Sequence, residues 1–265
     1  MKAMFTVIKE QIQSFYLIRR LSVFEVKSEN SQNYLGLLWE ILNPLIQISI
    51  FWLVFGMGIR HGNNIDGIPF LPWMLSGIVV WFFANPAILN GSRSIRQRVN
   101  LVSKMSFPMS VIPSYVIFSK FYSHLVVLGL VIVVLSLFGI FPTFYIIGLL
   151  YAMFTLLALM IAISMVTSTL ATVARDIQVM IQALMRLLMY TSPILWLPDE
   201  PLATIFKLNP LYYVVEVYRS SLLGKGWYFI EHPLYTLYFW IVVFLFLLFG
   251  SMMHVKLRDH FVEFI

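Results

Sequence analysis

The chain has 265 residues, of which 60% are hydrophobic, 16% aromatic and only 11% charged, and its mean hydropathy is +0.86. Soluble domains carry about 25% charged residues, so a water-soluble monomer is excluded and one membrane-embedded domain is the class that remains. The formal net charge of +6 is read by position, as a guide to topology and not as a sign of nucleic acid.

Residues 1–34 are polar and charged, with Lys2, Lys9, Glu10, Arg19, Arg20, Glu25, Lys27 and Glu29, so no cleavable signal with an early apolar core is present. Within them, Phe5, Ile8, Ile12 and Phe15 recur at spacings of three and four, which predicts an amphipathic helix over 4–18. Two readings share this pattern: a helix lying in the membrane interface, or a soluble amphipathic helix packed on a partner.

A bilayer crossing takes about 20 apolar residues. Six stretches are long enough: roughly 35–59, 70–90, 113–139, 142–171, 177–197 and 232–254. The predicted fold is therefore an all-α membrane protein with six transmembrane helices over 35–265 and an N-terminal interface segment over 1–34. Twelve Lys and Arg fall outside the spans on the side of both termini, against four (Arg60, Lys207, Arg219, Lys225) on the other. The excess marks the cytoplasmic side and puts both termini there.

The 91–112 loop carries Arg93, Arg96, Arg98 and Lys104 and ends in Phe107-Pro108 and Ile112-Pro113, prolines that stop a helix and fix the entry to the third span. A short cytoplasmic helix over 92–104 and a plain basic loop both fit. The 198–231 stretch is external by the charge count yet too apolar for a solvated loop, and Pro201, Asn209-Pro210, Gly224 and Gly226 interrupt it too often for it to span. A re-entrant pair of short helices beside a pathway fits it, as does a helix lying flat in the interface.

Reaction machinery is missing. No G-x-x-x-x-G-K-[ST] phosphate loop, H-E-x-x-H zinc pair or G-x-S-x-G elbow occurs, the five histidines are too scattered for a metal set, and the absence of cysteine removes thiolate chemistry. Ionisable groups inside spans are functional candidates because each is costly there. Glu40 lies about one turn into the first span, Lys120 and His124 share a face of the third at i, i+4, and Arg186 sits near the middle of the fifth. Glu40 and Lys120 also fit simple snorkelling. Small residues four apart in the fourth span (Ala158/Ala162, Ser164/Ser168, Thr167/Ala171) permit close helix packing, within the chain or between copies.

Four motifs then occur in order: Tyr34-Leu-Gly-Leu-Leu-Trp39-Glu-Ile-Leu-Asn-Pro44-Leu, Leu101-Val-Ser-Lys104-Met-Ser-Phe107-Pro108 with Pro113, Arg175-Asp176 with Ser192-Pro193, and Asn209-Pro210 with Arg219. With them the chain resembles, along nearly its whole length, the membrane subunits of the type-2 ABC exporters that move lipid-linked polysaccharides. The stretch from Asn43-Pro-Leu-Ile-Gln to Phe55-Gly-Met-Gly-Ile-Arg60 is most similar to the family's teichoic acid permeases of Gram-positive bacteria, while capsule and O-antigen permeases share the plan.

The resemblance implies two permease copies working in the bacterial cytoplasmic membrane with two separate ATP-binding subunits, which hold the ATP and magnesium. The segment with Arg93, Arg96, Arg98, Lys104 and Phe107, together with the Arg175-Asp176 turn, would dock those subunits. The implied cargo is a polymer on polyprenyl diphosphate. A path for it between spans one and five is expected to be lined by Trp39, Glu40, Arg186, Tyr190, Trp196, Tyr212, Tyr213 and Tyr218, although aromatics near span ends also fit an ordinary interfacial belt. Rival classes are an ion-coupled transporter, which needs inverted repeats and buried acids, and an intramembrane enzyme, which needs a clustered nucleophile and base; neither set is evident.

Overall fold

A chain in hydrocarbon must satisfy its backbone N–H and C=O groups internally, and helices do so within one segment. The computed structural model describes all residues except 32, 60–63, 66, 103–107, 259–260 and 262–265. Among the described residues everything regular is helical, apart from one isolated bridge between Ile65 and Ile68. An N-terminal arm of α1 (Lys2–Gln13) and α2 (Phe15–Asn30) precedes the first span, which runs from a 3₁₀ turn at Gly36–Leu38 through α3 (Trp39–Phe51) into a π-helical stretch at Trp52–Ile59. Then come α4 (Phe70–Val102), α5 (Val111–Leu137), a 3₁₀ turn at Phe144–Ile147 and α6 (Gly148–Val173). The chain closes with α7 (Asp176–Tyr190), α8 (Leu202–Phe206), α9 (Pro210–Leu223), α10 (Tyr228–Glu231) and α11 (Pro233–Leu257).

Among the described residues, five helices are long and apolar enough to cross a membrane: Gly36–Ile59, Phe70–Arg98, Val111–Leu137, Phe144–Val173 and Pro233–Leu257. The stretch expected as the fifth of six spans, 177–197, is shorter than predicted. Its helix α7 has 15 residues, about 22 Å at 1.5 Å per residue against a hydrocarbon core of about 30 Å. Pro193 cannot continue it, and the chain leaves the helix at Thr191. Residues 92–102 differ as well: they are not a separate coupling helix but the continuation of α4 beyond the bilayer-length part. Between α7 and α11, the 198–231 stretch forms the three short helices α8, α9 and α10.

The amphipathic helix predicted over 4–18 breaks at Ser14 and turns a different face inward. Met4, Val7 and Ile18 are buried, whereas Phe5, Ile12 and Phe15 are exposed. The bundle takes the narrower stripe and leaves the larger apolar residues outside, where a membrane interface suits them.

The core is built around α4. Trp73, Met74, Ile78, Phe83, Ala84 and Ala87 are all buried on it, and α5, α6 and α9 pack along its length. The fourth span uses its small residues inside this chain, since Ala162, Ser164, Ser168 and Ala171 are fully covered. On the other side of α6, a Cβ at Gly250 would lie 2.9 Å from Met165 Cβ and 3.0 Å from Val166 N, so only glycine lets α11 come this close.

One end of the bundle gathers the segments that the charge count assigns to one side. Glu10 of the arm pairs with Arg258 of the tail at 3.2 Å, Glu25 with Arg98 at the end of α4, and Glu29 with Lys120 of α5. The Gln11 amide also donates to the Ser110 carbonyl at 2.7 Å. Three acids of the arm thus each meet a cation of the bundle.

Candidate functional site

A polar stripe runs up the first span. Glu40, Asn43 and Gln47 are spaced i, i+3, i+7, which puts them on one face of α3. That face borders a cavity of about 550 Å³ whose other walls are Trp81 and Asn85 of α4 and Lys120, Ser123 and His124 of α5, with Asn33 and Trp39 where the chain enters the span. Two prolines shape it. Pro44 in α3 and Pro86 in α4 both line the cavity and lie inside helices, where a proline has no N–H to give to the helical ladder.

The electrostatics are uneven. His124 is buried and its Nε2 is hydrogen-bonded to the Tyr218 hydroxyl at 2.9 Å, which fixes the ring edge-on to the Tyr218 ring. Lys120 is drawn toward the arm by Glu29, whose carboxylate is partly exposed. Amide groups and two indoles can bind hydroxyl-rich groups, and one ammonium near the rim can bind an anion. Among the described residues no three His, Asp or Glu side chains are grouped to hold a metal ion.

At the opposite end of α4 the Ser-Pro and Asn-Pro motifs and Arg219 converge. Asn209 caps α9 by accepting from Leu211 N at 3.0 Å, and its Nδ2 donates to Ser192 Oγ at 3.0 Å, so the end of α7 is tied to the start of α9. Arg219 is only 3% exposed, donates to the Pro193 carbonyl and the Glu216 carboxylate, and lies 4.0 Å over the Trp73 ring. A Cβ at Gly77 would come within 2.8 Å of its Nη2, so a side chain there would push the guanidinium from its present place. Gly224, with φ of 68°, ends α9 in the left-handed conformation that glycine adopts without strain. Beside the clamp is a cavity of about 230 Å³ bordered by Glu216, Lys225, Tyr228 and Glu231. Burial and the Glu216 charge push the Tyr228 phenol up, and burial pushes Tyr212 up to about 12, so both stay protonated.

The remaining predicted residues divide by burial. Trp39 and Glu40 open on the 550 Å³ cavity. Tyr213 and Tyr218, expected on the path, are fully buried within the chain. Their hydroxyls are engaged there, Tyr213 with Tyr151 at 3.1 Å and Thr236 at 2.9 Å, Tyr218 with His124. Tyr212 is nearly buried too, and Trp196 donates to the Tyr190 carbonyl at 3.1 Å. Tyr190 and Arg186 are exposed on α7, away from its buried Ile181 and Met185.

Of the expected docking residues, Arg93 donates to Gln178 at 3.1 Å, which joins the α4 extension to the turn holding the exposed Arg175 and Asp176. Arg96 is half-buried, and Arg98 is engaged by Glu25 and lies 5.5 Å over the Tyr115 ring. Lys104 and Phe107 lie outside the described residues. The sequence reading missed Asn43, Gln47, Asn85 and Ser123, although the polar spacing from Glu40 to Gln47 within an apolar span was a readable signal.

Apolar helices of bilayer length around a polar cavity define a multi-pass membrane protein. The profile of the ABC-2 type transporter family matches residues 16–223, and the chain belongs to that family. Among curated relatives, the O-antigen export system permease protein RfbA of Myxococcus xanthus is 26% identical over 222 residues, 82% of this chain and 84% of the relative. Two proteins of the same name from Klebsiella pneumoniae are 24% identical over 201 residues and 25% identical over 206, each covering 74% of this chain and 76% of the relative.

Proposed function

We propose that the chain is the membrane-spanning subunit of an ATP-driven exporter that carries a lipid-linked surface polymer out through the bacterial cytoplasmic membrane. The observation that carries this reading is the polar face of the first span, Glu40, Asn43 and Gln47, set against Asn85, Lys120 and Ser123 among apolar helices. Moving a bare ion through hydrocarbon costs on the order of 20 kcal/mol in the idealised limit, so a diphosphate-linked polymer needs a lined path. Two copies of this chain enclose that path between the first span and α7, on which Arg186 and Tyr190 are left uncovered. Two ATP-binding subunits, holding ATP and magnesium, grip the α4 extension and the Arg175-Asp176 turn. Six crossings, with α7 the short fifth, α8 and α9 re-entrant from outside and both termini cytoplasmic, complete the arrangement.

Two cargoes have specific support. The opening stretch favours wall teichoic acid on polyprenyl diphosphate. The names of the curated relatives favour an O-antigen polysaccharide at least as strongly. The test is ATP-driven transfer in vesicles holding the permease with its co-purified ATPase, each polymer supplied in turn. Transfer of one polymer over the other identifies the cargo. Transfer of neither, or transfer unaffected by removing the ATPase, rejects the reading.

A further inference from the structure

A second cavity is larger than the polar one. It is an open slot of about 780 Å³ roofed by α1 and the start of α2 and walled by α5, α6 and α11, from Ile8 and Phe118 near the arm to Phe154 and Trp240 further along the bundle. Its residues on α6 run from Met165 to Phe154, a distance of about 16 Å at 1.5 Å per residue, parallel to the spans. The Phe15 and Phe118 rings meet edge-on at 6.2 Å near the roof, and Phe154 meets Trp240 at 5.5 Å at the far end.

We infer that this slot holds one acyl chain of an anionic phospholipid, with the phosphate of its headgroup against the cations of the arm. Water does not suit the space. At about 30 Å³ per molecule it would hold some 25 waters, and each needs two or more polar partners. Apart from the indole N–H of Trp240, already given to the Tyr151 hydroxyl at 3.0 Å, the polar side chain in the lining is Gln11, whose amide donates to Ser110. An unfilled apolar gap forfeits dispersion contacts along every wall. The slot lies at hydrocarbon depth between three spans, where alkyl chains are the solvent.

The headgroup assignment follows from charge. Lys9 is exposed on α1 within a turn of the slot residues Ile8 and Ile12, and Arg19 is exposed on α2 one turn beyond Phe15. Each such cation adds about 1 kcal/mol of attraction for an anionic lipid surface, about fivefold in occupancy. The site is distinct from the polar cavity and does not depend on which polymer is carried.

The test uses the full-length chain in phosphatidylcholine vesicles doped with phosphatidylglycerol or phosphatidylcholine carrying a diazirine midway along one acyl chain. After illumination, adducts are mapped by mass spectrometry. Adducts should concentrate on 154–165 and 240–247, several-fold above the lipid-facing Leu125–Val126 stretch of α5, and the phosphatidylglycerol probe should exceed the phosphatidylcholine probe about 25-fold, fivefold for each of the two cations. Ala158→Phe, which fills the slot from α6, should cut these adducts about tenfold and leave Leu125–Val126 unchanged. Lys9→Gln with Arg19→Gln should abolish the headgroup preference and leave the slot intact. Adducts spread evenly over the lipid-facing helices, or undiminished in Ala158→Phe, overturn the site; equal labelling by the two probes overturns the headgroup. Because the chain has no cysteine, Ala158→Cys gives a unique thiol, and disulfide-linked dimers through it would overturn the lipid in favour of a second copy.

Discussion

The first and second spans are both apolar helices of membrane length, yet 78% of the most apolar window of the second lies inside the chain against 11% of the first. The difference lies in what each presents to its neighbours. The α4 helix offers Trp73, Ile78, Phe83 and Ala87 to three partners and fits glycine where Arg219 crosses it. The first span offers Asn43 and Gln47, which are exposed and border the 550 Å³ cavity. Hydropathy selects both as membrane helices, but only polar spacing and burial together separate a helix built to be packed from one built to face something else.

The sharpest way to test that contrast is to damage each helix in turn. In the packed region, Arg219→Ala removes the partner of Glu216 and of the Pro193 carbonyl and should cost about 3–5 kcal/mol, read as thermal unfolding in detergent. On the uncovered faces stability should hold while flux falls. Arg186→Ala should lower ATP-driven export about tenfold or more, the worth of one charge-assisted hydrogen bond to a diphosphate. Wild-type flux would end that role for it. Gln47→Leu should leave unfolding unchanged and reduce export about tenfold, one strong neutral hydrogen bond; unchanged flux would mean the polar stripe does not meet cargo. Asp176→Ala weakens the first turn of α7 and should lower export roughly twofold to fivefold while ATP hydrolysis continues, so unaltered coupling would remove the turn from the docking surface. The smallest effect belongs to Glu10→Gln at the arm, where a partly exposed pair is worth at most about 1 kcal/mol and should vanish in high salt.

Much of this was legible in the sequence, for reasons that particular residues make plain. Span positions follow from runs of apolar residues, and five of the predicted stretches coincide with helices to within a few residues at most ends. The main departure at an end is α4, whose basic extension through Arg98 stays helical because no proline or glycine interrupts 92–102. The stripe that the arm turns to the bundle was not legible, because Phe5 and Ile12 are larger than Met4 and Val7 and size alone does not say which stripe a neighbour will cover. The site was half visible. Glu40 and the Lys120/His124 pair stood out as charges in apolar spans, and they open on the same cavity. Asn85 and Ser123 could not be assigned, since a lone amide or hydroxyl in a span becomes informative only when other helices bring partners to it. The burial of Tyr213 and Tyr218 was not legible for the converse reason: a tyrosine near a span end reads the same whether its hydroxyl meets a pathway or another side chain.

The π-helical stretch at Trp52–Ile59 has its own consequence. Its i→i+5 pairing takes up one more residue per turn than the α-helix below it, much as a dislocation carries an extra row of atoms through a crystal. Residues beyond it are therefore offset around the axis from where an unbroken α-helix would put them. One span thus runs through three helical pitches, a 3₁₀ turn, an α-helix and a π-helical stretch, before it ends.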